Sequence, residues 1–241
     1  MEFAGRFGRI LKPKPIDPLW AGEPCIVAAP GPSLTPEVAK RVRLARWTEG
    51  WRLIVVNDAY RYFPYADILY AADFAWWKAQ DLKDFKGERW SCHSHSESVC
   101  DDKSQVYEAL GLRLVLARDG KIISKDPCCI TYGRVSHSGY HALNIALLLG
   151  CSRVVLVGYD MRHVDGKAHF FERKDLRLCS DDGYRDFCKN YEPDDRVINA
   201  TPESALKCFP QMSLEDAIDA YSRGQNGSVH RDGAEPHVAT G

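Results

Sequence analysis

CIVAAPGPSLTP, residues Cys25–Pro36, decides how the chain is read. Cys25–Ala29 is a short apolar run of the kind that forms a buried strand. Pro30-Gly31-Pro32-Ser33 breaks it as a tight turn. Thr35 and Pro36 then supply an N-cap and a first helical residue. Strand, turn and helix follow one another within twelve residues.

The same rhythm continues along the chain. Leu53–Val56 reads as a second strand ending in Asn57-Asp58, and Asp67–Ala71 as a third ending near Asp73. Phe74–Leu82 reads as a helix, and Trp90–Cys92 and Leu112–Ala117 as further strands. Ser138–Leu149 is the best helix signal, with Ser138 as its cap and Gly150 at the position after it. Arg153–Val157 is a β-branched strand that runs into Gly158-Tyr159-Asp160. Arg196–Ala200 is a last short strand, and Thr201-Pro202 repeats the cap-plus-proline start of a helix. Continuous apolar strands alternating with helices predict a single α/β domain. Its expected architecture is Rossmann-like, a mostly parallel sheet with helices on both faces. Residues 1–20 are expected to be a loose N-terminal arm and 21–221 a nucleotide-binding domain. Polar, irregular residues 161–195 would form a variable segment at its site, and 222–241 a disordered tail.

Composition narrows the function classes. The chain has 241 residues, a formal net charge of -1 and 45% hydrophobic residues. A near-neutral balance argues against a dedicated nucleic-acid binder. No apolar run approaches the roughly 20 residues of a membrane span. The first residues lack a signal peptide's apolar region, so the expected location is cytoplasmic. The nine cysteines are odd in number and have no framework spacing, which points to reduced thiols. Cys92, His93, His95 and Cys100 match no standard zinc spacing, and no metal site is expected. Trp76-Trp77 reads as one buried and one exposed ring, with a base or sugar platform as the alternative.

In parallel sheets, ligands bind outside the carboxyl ends of the strands. The candidate site residues are therefore Gly31, Pro32, Ser33, Asn57, Asp58, Asp73, Ser138, Gly139 and Asp160. Gly31 would let the backbone approach a ligand, and the hydroxyls and N–H groups of a helix start favour phosphate. The turn lacks the dinucleotide fingerprint and the P-loop lysine. Ser136-His137-Ser138-Gly139-Tyr140 is a second helix start suited to an anion. Beyond Asp160, His163 and His169 are candidate general bases, and Arg162 and Arg173 could neutralise a phosphate.

The ordered set of GPSL, a strand ending in Asn, SGYHALNIALLLG and GYDM resembles a Rossmann-like group. That group includes the bacterial sialyltransferases of glycosyltransferase family 42, the 6-hydroxymethylpterin diphosphokinase-like proteins and many phage and prophage proteins. The similarity spans roughly Pro24–Ile218, and VVNDAYRYFPYADILYAADFAWWKA looks most like the phage group. The resemblance implies a metal-independent transferase using a CMP- or similar nucleotide-activated sugar as co-substrate. Gly31, Pro32 and Ser33 would lie against the donor, Asn57 on its phosphate or ribose, and Ser138 and Gly139 on the nucleotide. His169 would be the base, and Tyr159 would assist the departing phosphate. Ala29-Pro30 replaces the Gly-Asn that precedes GPS in the sialyltransferases. The acceptor is open, a homo-oligomer is an open alternative, and a phage protein would act in the host cytoplasm. One alternative is a magnesium-dependent pyrophosphokinase with metal on Asp73 and Asp160. Another is a non-catalytic nucleotide-binding module.

Overall fold

The computed structural model describes residues 13–93, 102–120, 123–132, 137–171 and 179–228. Among the described residues, eight parallel strands form one sheet: β1 (Pro24–Ala28), β2 (Arg52–Val56), β3 (Ile68–Tyr70), β4 (Glu88–His93), β5 (Leu112–Asp119), β6 (Cys129–Tyr132), β7 (Arg153–Val157) and β8 (Val197–Asn199). Their order across the sheet is β6-β5-β4-β3-β2-β1-β7-β8. From β1 the chain steps outward to β6, then returns and adds β7 on the other side of β1. The direction of winding therefore reverses between β1 and β7.

The helices are α1 (Pro36–Thr48), α2 (Phe74–Ala79), α3 (Asp102–Ala109), α4 (Ser138–Leu148), α5 (Asp181–Cys188) and α6 (Leu214–Ser228). Side-chain alternation along the strands feeds two cores. Cys25, Val27 and Ala29 pack with α4 and Tyr184 on one face. Ile26 and Ala28 pack with α1, Trp76, Trp77 and Ile218 on the other. No helix among the described residues is long and apolar enough to cross a membrane. The eight described cysteines are free thiols.

Local chemistry explains the two helices that frame the site. Thr35 Oγ1 accepts from Val38 N at 3.3 Å, and Pro36 fills the first turn of α1. The far end of α4 closes in a Schellman turn. Gly150, at φ +88°, donates to the Leu147 carbonyl, and Cys151 N donates to the Ala146 carbonyl.

Several expectations are corrected. Residues 13–20 are not a loose arm: Ile16 and Trp20 are buried, and Trp20 N donates to the Leu149 carbonyl at 2.8 Å. Thr201-Pro202 starts no helix. Thr201 Oγ1 is taken by Tyr159 N at 2.9 Å, and the last helix begins after Ser213, whose Oγ accepts from Asp216 N. That helix runs on to Ser228, past the expected start of the tail, and residues 229–241 lie outside the described residues. Within the segment read as irregular, Ser180 caps α5. Trp76 and Trp77 are both buried, so neither ring offers a platform. Residues 94–101, with His95 and Cys100, and residues 172–178, with Arg173, lie outside the described residues, as does Ser136.

Candidate functional site

A cleft of about 190 Å³ opens at the carboxyl edge of the sheet, beyond the paired ends of β1 and β7. Ala29, Pro30 and Gly31 follow β1, and Asn57 follows β2. His137, Ser138 and Gly139 start α4, and Gly158–Met161 follow β7. Ala168 and His169, with Cys179, Tyr184 and Phe187 at and before α5, close the outer wall. This is the switch point at which open α/β sheets hold ligands.

The β1 turn is clamped to the β7 turn. Gly31 N donates to the Gly158 carbonyl at 3.0 Å, and Ala29 N to the Val157 carbonyl at 2.9 Å. A Cβ on Gly31 would overlap Asp160 Oδ2 and the Gly158 carbonyl oxygen. The missing side chain of Gly31 thus serves the approach of two strands of the same chain, not of a ligand. Ser33 is committed in the same way. Its N–H lies 3.3 Å from both Asp160 oxygens, and its Oγ donates to Oδ2 at 2.8 Å. The start of α1 was expected to be a phosphate site. Thr35 Oγ1 caps it at Val38 N, the Asp160 carboxylate takes the Ser33 N–H in the turn before it, and Pro32 and Ser33 do not line the cleft.

Burial raises the Asp160 carboxyl above its usual 3.8, against the Ser33 hydrogen bonds. The folded chain therefore keeps this proton to a higher pH than the unfolded chain does. The stability it brings is complete below 3.8 and is lost as pH rises through the folded value. An amide keeps the acceptor for Ser33 N without the buried charge. Asp160→Asn is expected to raise the melting temperature at pH 7.5 relative to wild type, but not at pH 4. A lower melting temperature at pH 7.5 contradicts this account.

Two residues lining the cleft each hold a polar atom sealed from solvent with no hydrogen-bond partner among the described residues: Asn57 (Oδ1) and His169 (Nδ1). Such orphans are costly unless a ligand or water satisfies them. Asn57 also sits at φ +47° and Met161 at φ +53°, so two non-glycine residues of one cleft have left-handed backbone. The His169 ring stacks on Phe171 at 5.4 Å. Burial lowers its pKa, opposed by the Asp58 carboxylate and the Pro30 carbonyl, so the imidazole is neutral at neutral pH. Of the two candidate bases only His169 lines the cleft. His163 lies outside it, with Nδ1 on Asp181 Oδ1 at 2.6 Å.

Other expected site residues have structural duties. The Tyr159 hydroxyl is buried and donates to the Gly139 carbonyl at 2.9 Å, and burial drives its pKa up. It has no proton free for a departing phosphate. Asp58 is buried outside the cleft, accepting from Trp76 Nε1 at 2.8 Å and pairing with Arg61 at 2.6 Å. Asp73 is exposed and caps α2 through Ala75 N at 2.8 Å. Ser138 is the first residue of α4, not its cap, and its Oγ accepts from Ala72 N at 3.1 Å. No group of three or more metal-ligating side chains exists among the described residues.

Sequence reasoning missed His137, Met161, Cys179, Tyr184 and Phe187 as cleft residues. His137 stood inside the quoted SHSGY motif, but only the hydroxyls around it were weighed. Its Nε2 meets the Tyr191 hydroxyl at 2.9 Å, and burial beside His141 lowers its pKa to about 3.

No family model and no curated protein matches the chain. Among solved structures it is similar to the MAf glycosyltransferase from Magnetospirillum magneticum AMB-1, at 12% sequence identity and a TM-score of 0.52. The likeness covers 92% of this chain but only 39% of that one, so the chain spans well under half of that protein's length. What the two share is the fold: this chain is an α/β, Rossmann-like domain whose architecture recurs within that glycosyltransferase.

Proposed function

We propose that the chain is a nucleotide-dependent transferase of the glycosyltransferase kind, working without a required metal. One observation carries this reading: Asn57 and His169, each holding a buried polar atom with no hydrogen-bond partner among the described residues, both line the switch-point cleft. The fold shared with a glycosyltransferase supports it, as does the resemblance to sialyltransferases. The enclosed volume is below the roughly 300–1,000 Å³ of typical small-molecule sites. It accommodates one moiety of a CMP- or similar nucleotide-activated sugar, and the remainder lies over its rim.

In this mechanism the N–H groups of Ser138 and Gly139, which have no acceptor within their own helix, face the nucleotide phosphate. Neutral His169 takes the proton of the acceptor hydroxyl. That oxygen bonds to the anomeric carbon, the bond from that carbon to the phosphate oxygen breaks, and the nucleotide leaves with the electron pair. His169→Ala is expected to slow release of CMP from a CMP-activated sugar by about 10²–10⁴-fold, the usual contribution of a general base. Nucleotide affinity should stay within about 3-fold, because the base contacts the acceptor. Unchanged turnover in this variant would remove His169 from the role.

The magnesium-dependent pyrophosphokinase reading needs Asp73 and Asp160 to share a metal. Their carboxylates are engaged instead on Ala75 N and on Ser33, so it ranks below the glycosyl reading.

A further inference from the structure

We infer that Arg61 is a positioning residue, whose guanidinium, anchored on Asp58, steadies Phe171 and through it the His169 ring in the cleft wall. The inference deepens the transferase reading above, in which His169 is the base.

Asp58 and Arg61 lie in the short helical turn Asn57–Arg61 that follows β2. Asp58 is buried, and the Arg61 guanidinium meets its Oδ1 at 2.6 Å. A buried carboxylate is a firm anchor, because losing its cation leaves a charge out of water. From that anchor the guanidinium lies over the Phe171 ring, 5.0 Å from its centroid. The electron-rich ring face attracts the cation, and a planar guanidinium stacks where an ammonium does not. The His169 ring stacks on the same Phe171 ring, at 5.4 Å and 10° from parallel. His169 lines the cleft and Arg61 does not, so Arg61 reaches the site through Phe171.

His169 needs such support. Its Nδ1 has no hydrogen-bond partner among the described residues. In many functional histidines a hydrogen bond at one ring nitrogen fixes tautomer and aim. Here ring packing takes that place. The backbone between the two rings is tied down separately. Phe170 N donates to the Pro30 carbonyl at 3.1 Å, and the Phe170 ring meets Tyr62 at 4.8 Å. Burial lowers the His169 pKa, the Asp58 carboxylate and the Pro30 carbonyl oppose that, and His163 adds to it. A ring that swings free gains water and titrates nearer 6.5.

The test follows the His169 titration by proton–carbon NMR in wild type, Arg61→Gln, Phe171→Ala and the double variant, with the signal assigned through His169→Gln. Gln at position 61 keeps a hydrogen-bond donor for Asp58 and loses the cation. Both single variants should move the His169 midpoint up toward 6.5. The double variant should move it by less than the sum of the two, because Arg61 acts through Phe171. Phe171→Tyr keeps the ring face and should titrate as wild type does. In Arg61→Gln and Phe171→Ala, release of CMP from a CMP-activated sugar should lose about 5-fold in kcat with KM unchanged, the worth of one cation–π contact. An unmoved midpoint in either single variant, or strict additivity in the double one, overturns the inference and leaves the transferase reading standing. A wild-type chain that releases no CMP overturns that reading, while the titration still decides whether Arg61 positions the ring.

Discussion

Gly158→Ala is expected to cost more than about 4 kcal/mol, a loss reached only by disruptive single substitutions. Gly158 sits at φ +72°, and a residue with a Cβ is strained there by about 1–2 kcal/mol. The larger cost is steric. The new Cβ would overlap the Ala29 carbonyl oxygen and press on Leu34 Cβ at 3.3 Å. Neither neighbour can yield cheaply. Ala29 is tied to Val157, and Gly31 to Gly158 itself, by backbone hydrogen bonds of 2.9 and 3.0 Å. Moving either breaks the β1–β7 clamp that shapes the cleft. Gly166→Ala is the matched control, because Gly166 has φ +75° and nothing within 4 Å of its added Cβ. It should cost only the strain, about 1 kcal/mol. Urea denaturation midpoints of the two variants decide the matter. Equal midpoints would contradict the clamp.

Acid is expected to destabilise the chain well before most of its carboxylates protonate. His137 and His141 are buried, and burial lowers their pKa values from 6.5 to about 3 and about 4. His141 Nδ1 lies 2.7 Å from the Tyr70 hydroxyl, and His137 Nε2 lies 2.9 Å from the Tyr191 hydroxyl. Because the folded values are depressed, the unfolded chain takes up these protons first. The stability is fully present above 6.5 and is lost as pH falls toward the folded values. From pH 7.5 to pH 5 this amounts to roughly 2 kcal/mol per histidine, or roughly 4 kcal/mol for the pair. Asp160 acts in the opposite direction, but as one carboxyl against two imidazoles. Unfolding free energies measured in urea at pH 7.5 and pH 5 should differ by several kcal/mol. A flat profile would show that these rings do not resist protonation in the folded chain.

Much of the fold was legible because it depends on local apolar runs. Pro24–Ala28, and the parts of β2 and β7 that follow Arg52 and Arg153, are continuous apolar runs, and a parallel sheet buries both faces of such runs. Thr35-Pro36 read correctly because its cap bond is local, at Val38. Thr201-Pro202 carries the same signal and read wrongly, because Thr201 Oγ1 is recruited by Tyr159, 42 residues away. Cys129–Tyr132 was missed: it is a four-residue edge strand beside a polar turn. Strand ends brought Gly31, Asn57 and Asp160 into view, a helix start Ser138 and Gly139, and the polar segment after Asp160 brought His169; all six line one cleft. The partner of Ser33 did not follow. Asp160 is 127 residues away, and only the folded sheet shows that it accepts from Ser33 in the turn before α1.

The most direct test of nucleotide binding at the β1–β7 cleft is a thermal-shift series with CMP, CDP, UDP, GDP, ATP and AMP, each with Mg²⁺ and with EDTA. A ligand that binds the native state alone must raise the melting temperature. CMP or CDP, or a similar glycosyl-carrying nucleotide, is predicted to do so in EDTA. No shift with any nucleotide, or a shift with ATP only in Mg²⁺, would contradict the account.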